Sequence, residues 1–171
     1  MTIFKLGDTH FRHGNILTFK RQDGTPLRNF ATIEEHDEHL IKCWNSVVTD
    51  KDLVYHMGDV VMNKKYLPIV HRLKGRKILI RGNHDTASTK ELLEYFDEVY
   101  GTYCLKGLIL SHIPLAKESI ERFGVNVHGH LHANSINDKR YFNVSAEQLN
   151  YTPISLEELR KQIQIRSESN V

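Results

Sequence analysis

Seven side chains able to hold metal ions stand just past short apolar runs in this sequence: Asp8, His10, Asp59, Asn83, His112, His130 and His132. Histidine is abundant, with 11 in 171 residues. No two are adjacent, so an affinity tag does not explain them. Imidazole, carboxylate and amide oxygen without thiolate suit manganese, iron, zinc, cobalt or nickel rather than iron–sulfur clusters or Cu(I). Two Asp, one Asn and four His are more than one ion takes. Two ions sharing a carboxylate use them all, and such a pair, ~3.5–4 Å apart, can clamp the attacking and leaving oxygens of an in-line displacement at phosphorus.

These groups need a frame that brings them together, and the flanking segments predict one. Residues 3–7 read as a strand ending at Asp8-Thr9-His10, residues 53–57 as one ending at Gly58-Asp59, and 77–80 as one ending at Arg81-Gly82-Asn83-His84-Asp85. Residues 108–111 lead into His112, and 125–128 into Gly129-His130-Leu131-His132. In open α/β sheets ligands gather beyond the carboxyl ends of the strands. Gly58, Gly82 and Gly129 allow the sharp turns such loops require. A short helix is expected over 14–20, followed by a polar loop at 21–30. A longer helix opens at Thr32 with Glu35 as a capping box and runs to about Val48. Further helices are expected over 64–73 and 88–96, and from Ser155, capped with Glu158, to about Ile165. The first half alternates strand and helix, which implies parallel pairing. The second half, with strands at 99–105, 108–111, 125–128 and 140–144, implies antiparallel pairing. The expectation is a single domain over residues 1–171, a layered α/β (α+β) fold with two sheets.

The ordered set Asp8-Thr9-His10, Gly58-Asp59, Gly82-Asn83-His84-Asp85, His112 and Gly129-His130-Leu131-His132 resembles the calcineurin-like metallophosphoesterase superfamily, whose pattern is D-x-H, G-D, G-N-H-D/E, H and G-H-x-H. Gly-Asn-His-Asp alone arises by chance in a chain this long at a rate on the order of 10⁻³, and the second motif in the right order makes coincidence far rarer. The resemblance implies a four-layer α/β/β/α sandwich, with two mixed β-sheets face to face and helices outside. It implies that Asp8, His10 and His132 bind one ion, that Asn83, His112 and His130 bind a second, and that Asp59 bridges them. A metal-bridging hydroxide would attack phosphorus. His84 would serve the leaving oxygen as general acid or charge stabiliser, with Asp85 orienting its ring.

The resemblance also narrows the activity. The phosphoprotein phosphatase branch resembles G-D-x-V-D-R-G, whereas Asp59 here leads into Val60-Val61-Met62-Asn63. Nuclease members carry extra domains that 171 residues leave no room for. The run from Asp8 to Ile16 is similar to a compact bacterial and phage subgroup that usually has Gly at the place of Arg12. Arg12, His13 and Asn15 are therefore candidates for substrate contact. The expected substrate is a small nucleotide-like phosphodiester, because a short chain without a cap leaves an open cleft. Phosphomonoester hydrolysis and a non-catalytic metal-binding scaffold are the alternatives. The expected cofactor is a pair of divalent ions, manganese first, with iron, zinc, nickel or cobalt as alternatives.

Composition sets further bounds. A net charge of +2 argues against a strongly cationic nucleic-acid binder, an RNA end or small nucleotide aside. No apolar run approaches the ~20 residues of a membrane span, and the start lacks the pattern of a signal peptide. Two cysteines, Cys43 and Cys104, are too few for a disulfide scaffold, so a reducing cytoplasm is expected and both read as buried thiols. His36 and His39 lack the spacing of a zinc-protease motif and read as a solvated helix face. Lys20, Arg21 and Arg28 read as a solvated loop or a cationic lip over an anionic substrate. His56 and His128 read as packed residues behind the site, and Trp44 as core.

Overall fold

The structure, a computed structural model, describes residues 1–168. Strands β1 (Ile3–Leu6), β2 (Leu53–His56), β3 (Arg76–Ile80) and β4 (Glu98–Tyr100) pair in parallel, and β9 (Ile154–Ser155) adds antiparallel to β1, giving the order β4-β3-β2-β1-β9. The second sheet has the order β5-β6-β7-β8, from Thr102–Leu105, Leu108–Ser111, Val125–His128 and Tyr141–Asn143.

Strand side chains alternate between faces, and the two faces of the first sheet feed two cores. Phe4, Leu6, Val54 and Leu79 point outward to meet Leu40, Ile41 and Trp44 of helix α1 (Ile33–Val47). Tyr55, Ile78 and Ile80 point inward against Leu108, Leu110, Val127 and Phe142 of the second sheet. Beyond that sheet Ile109 and Tyr141 pack on Ile120 of a short helix at Lys117–Ile120. These layers are the expected two mixed sheets flanked by helices.

Several local expectations are corrected. Residues 99–105 are not one strand: Tyr100 pairs with Ile80 in the first sheet and Thr102 with Ser111 in the second, so the chain changes sheets at Gly101. Apolar alternation encodes burial but not which sheet a residue joins. The second sheet is mostly parallel, because the helix at Lys117–Ile120 carries the chain from β6 back to β7; only β5 and β6 are antiparallel. Residues Lys64–Arg72 form a 3-10 helix with Pro68 inside, since proline lacks the N–H an α-helix needs there. The helix expected from Ser88 is α only over Thr89–Leu92, and that near Gly14 is a 3-10 turn over Gly14–Leu17. Thr32 caps α1, but Glu35 returns to the amide of Ala31, one residue before the cap. Cys104 is exposed rather than buried, because it lies on the edge strand β5.

The two sheets meet where β1 ends. Gly7 donates to the Val144 carbonyl and accepts from Ala146, while Asp8 donates to the Gly58 carbonyl and His10 to that of Asp59. The loops after β1 and β2 therefore run side by side, with the end of β8 along the other flank.

Candidate functional site

Six non-glycine residues in the loops after β1, β2 and β7 adopt left-handed backbone: Asp8 (φ 56°), His10 (47°), Arg12 (60°), Asp59 (54°), His130 (67°) and His132 (50°). L-residues rarely take this conformation, and its cost persists only where the surroundings enforce it, commonly at functional sites. All but Arg12 are candidate metal ligands. The strained turns aim those five side chains at one spot beyond the strand ends.

Two groups assemble there, Asp8 with His10 and His132, and Asp59 with His112 and His130; within each, the ligand atoms lie within 4.8 Å of one another. Asp59 joins them: its Oδ2 lies 3.6 Å from His10 Nε2 and 3.3 Å from His112 Nε2. Asn83 Oδ1 stands 3.0 Å from the same His112 nitrogen, so all seven ligand candidates meet. Close approach demands glycine: a Cβ on Gly82 would overlap the Asp59 carboxylate, and one on Gly129 the Asp8 carboxylate.

Hydrogen bonds fix two of the imidazoles. His112 Nδ1 donates to the Met57 carbonyl at 2.7 Å and turns Nε2 to Asp59. His132 Nδ1 donates to Glu147 at 3.0 Å, which leaves its Nε2 as the candidate ligand atom. His10 is buried with neither ring nitrogen hydrogen-bonded, and a buried polar group without a partner calls for one. Burial drives the His10 pKa well below its usual value, so the ring is a neutral donor. Burial also raises the Asp8 carboxyl to about 6. For Asp59 the hydrogen bond from His112 and the His84 amide outweigh burial and hold it at about 2. Burial opposes charge on His112 too, yet Asp59 and Asp8 raise its pKa to about 9. The cluster thus favours positive charge at its centre, and its N/O donor set fits divalent ions.

His84 is half-buried beside the cluster; its amide donates to Asp59 Oδ1 at 2.9 Å and its ring centroid lies 5.8 Å from that of His10. Asp85 does not orient that ring. Its carboxylate accepts from the amides of Asp59, Val60 and Gly82, because three N–H groups converge on it where the loops after β2 and β3 touch. His13 lies near the cluster, its ring tilted by 40° to that of His10 at 5.5 Å. Arg12 turns away to pair with Glu34 at 2.7 Å and lie over Tyr66, and Asn15 is solvent-exposed.

Three residues behind the site overturn or escape the sequence reading. Arg28 is fully buried, neither solvated nor a lip, because its guanidinium finds the carboxylate of Glu147 at 2.8 Å and the carbonyls of Asp8 and Thr9. His36 is likewise buried rather than on a solvated face, held between Arg28 and Asp37. Glu147, which no motif marks, supports His132. Leu27 and Phe30 beside Arg28 were the available signal, since apolar residues in a polar loop mean that the loop packs.

Residues 1–168 match the calcineurin-like phosphoesterase family. The chain belongs to that family. Its members hydrolyse phosphate esters at a dimetal centre, and this chain is a metal-dependent phosphohydrolase by membership. An uncharacterized protein of Methanocaldococcus jannaschii is 34% identical, the match covering 95% of this chain and 91% of that one. The gene 66 protein of Mycobacterium phage L5 is 38% identical over 46% of this chain and 37% of its own. Among solved structures, a protein of unknown function from Aquifex aeolicus superposes with a TM-score of 0.71 at 28% identity, covering 94% of this chain and 98% of that chain. Among the described residues of this phosphoesterase no helix is long and apolar enough to cross a membrane.

Proposed function

We propose that this phosphoesterase hydrolyses small, nucleotide-like phosphodiesters, with Asp8, His10 and His132 holding one divalent ion, Asn83, His112 and His130 a second, and Asp59 shared between them. The observation that carries the reading is the Asp59 Oδ2 atom, placed between one imidazole of each group. Two ions, manganese first, would supply Lewis acidity and a water acidic enough to attack phosphorus at neutral pH. His84 then has the place and the chemistry to protonate the leaving oxygen. His13 is the substrate-facing residue of its loop, since Arg12 is engaged by Glu34. A cleft of about 340 Å³ beside Asn83 and His112, walled by Thr102, Ile113 and Leu115, leaves room for a second ester substituent. Two unpaired cysteines fit the cytoplasmic location we propose.

The test is hydrolysis of bis-p-nitrophenyl phosphate with added manganese, wild type beside Asp59→Asn. Metal-dependent turnover that collapses in the variant and exceeds turnover of the monoester p-nitrophenyl phosphate supports the diester reading. Preference for the monoester reverses it, and no turnover of either by folded wild type favours a binding role.

A further inference from the structure

The two ligand groups are supported in different ways. His112 of the second group leans on a main-chain carbonyl, Met57, and the Asp59 loop on the Asp85 carboxylate. The first group rests on a buried ion pair. Arg28 and Glu147, 119 residues apart in the chain, meet at 2.8 Å with side chains 0% exposed.

Arginine only donates hydrogen bonds, and that fixes every proton around it. Nη1 gives to the Thr9 carbonyl and to His36 Nε2, both at 2.8 Å, and Nη2 gives to the Asp8 carbonyl. His36 therefore accepts at Nε2 and donates from Nδ1 to Asp37 at 3.0 Å. Nε gives to Glu147 Oε1, the same oxygen that receives His132 Nδ1. One guanidinium thus grips the left-handed turn that presents Asp8 and His10, and through one carboxylate sets the ring of His132. These are the three members of the first group and none of the second.

We propose that the Arg28–Glu147 pair is the positioning device of the Asp8–His10–His132 position alone, so that removing it empties one metal position and spares the other. In this role Glu147 acts through His132, and Arg28 acts through main-chain carbonyls. A carboxylate behind a ligating imidazole typically accounts for 10–100-fold in metal affinity. The inference rests on the dimetal reading above, and the experiment separates the two.

The metal-free full chain is titrated with Mn²⁺ by calorimetry and by electron paramagnetic resonance, as wild type, as Glu147→Gln, and as Arg28→Met with Glu147→Gln. Wild type should take two ions. In each variant one position should weaken 10–100-fold with the other unchanged, and anomalous scattering from manganese should vanish beside Asp8 and His132 only. Equal weakening of both positions, or of neither, overturns the proposal. Glu147→Gln leaves a buried unpaired guanidinium, so it can fail by unfolding; the double variant carries no such charge, and its unfolding would mark the pair as a folding device and overturn the proposal too. Wild type that binds fewer than two ions instead removes the dimetal reading, and the inference with it.

Discussion

Asp85 holds Asp59 by the backbone: its Oδ2 accepts the Asp59 amide at 2.9 Å while the same oxygen accepts the Gly82 amide at 2.8 Å. Its Oδ1 takes the Val60 amide at 2.9 Å. One carboxylate therefore ties together the loops carrying Asp59 and Asn83. Asparagine offers a single acceptor oxygen and must aim an N–H₂ group at a backbone N–H. Asp85→Asn should therefore cost about 1–3 kcal/mol of stability for the amide left without an acceptor. Urea unfolding measures that cost, and manganese calorimetry on the folded fraction should show weaker binding. An unchanged midpoint would remove the assigned role.

For His84 the bond that positions Asp59 comes from the main chain, so His84→Gln removes the ring and keeps the Asp59 contact. We expect kcat to fall by about 10²–10⁴ with metal stoichiometry unchanged. General acid catalysis matters most for poor leaving groups. The defect should accordingly be smaller for p-nitrophenyl esters than for alkyl esters. Equal defects would make the ring an electrostatic stabiliser only.

The candidate ligands were legible in the sequence because metal chemistry restricts residue type and the parallel strands place them at one edge. Asp8, His10, Asp59, Asn83, His112, His130 and His132 all meet there. What supports them was much less legible. Arg28 and Glu147 meet across 119 positions, and nothing in either neighbourhood names the other. Asp85 sits inside the Gly-Asn-His-Asp motif, yet the motif does not say that three loop amides rather than the His84 ring claim it. The passage of residues 98–105 between sheets was hidden for a similar reason, because pairing partners are chosen by packing beyond the segment itself.

Two glycines make a matched pair of tests. A Cβ on Gly82 would run into the Asp59 carboxylate, whereas one on Gly101 meets nothing within 4 Å. Gly82→Ala should destabilise the fold by about 1–3 kcal/mol and weaken manganese binding as Asp59 is displaced. Gly101→Ala should leave binding intact and raise stability by ~0.4–1 kcal/mol through a less flexible unfolded chain. Thermal melts with and without manganese read both effects. A Gly82→Ala protein that binds metal like wild type would show that the loop can yield.

Lys5 is fully buried on β1, between Tyr55 and Ile154 of the neighbouring strands, and its Nζ has no hydrogen-bond partner. Burial, helped by the charge of Arg160, lowers its pKa from 10.5 to about 7. Between those values the unfolded chain binds a proton that the folded chain does not. Stability contributed at this site therefore rises with pH from about 7 to about 10.5, by up to ~1.4 kcal/mol per unit, and is lowest below that window. Lys5→Met removes the amine and keeps an unbranched chain in the same core. The difference in unfolding free energy between variant and wild type should favour the variant at pH 7 and narrow by pH 9. A difference that stays constant across the two would mean that Lys5 keeps its proton in the folded state.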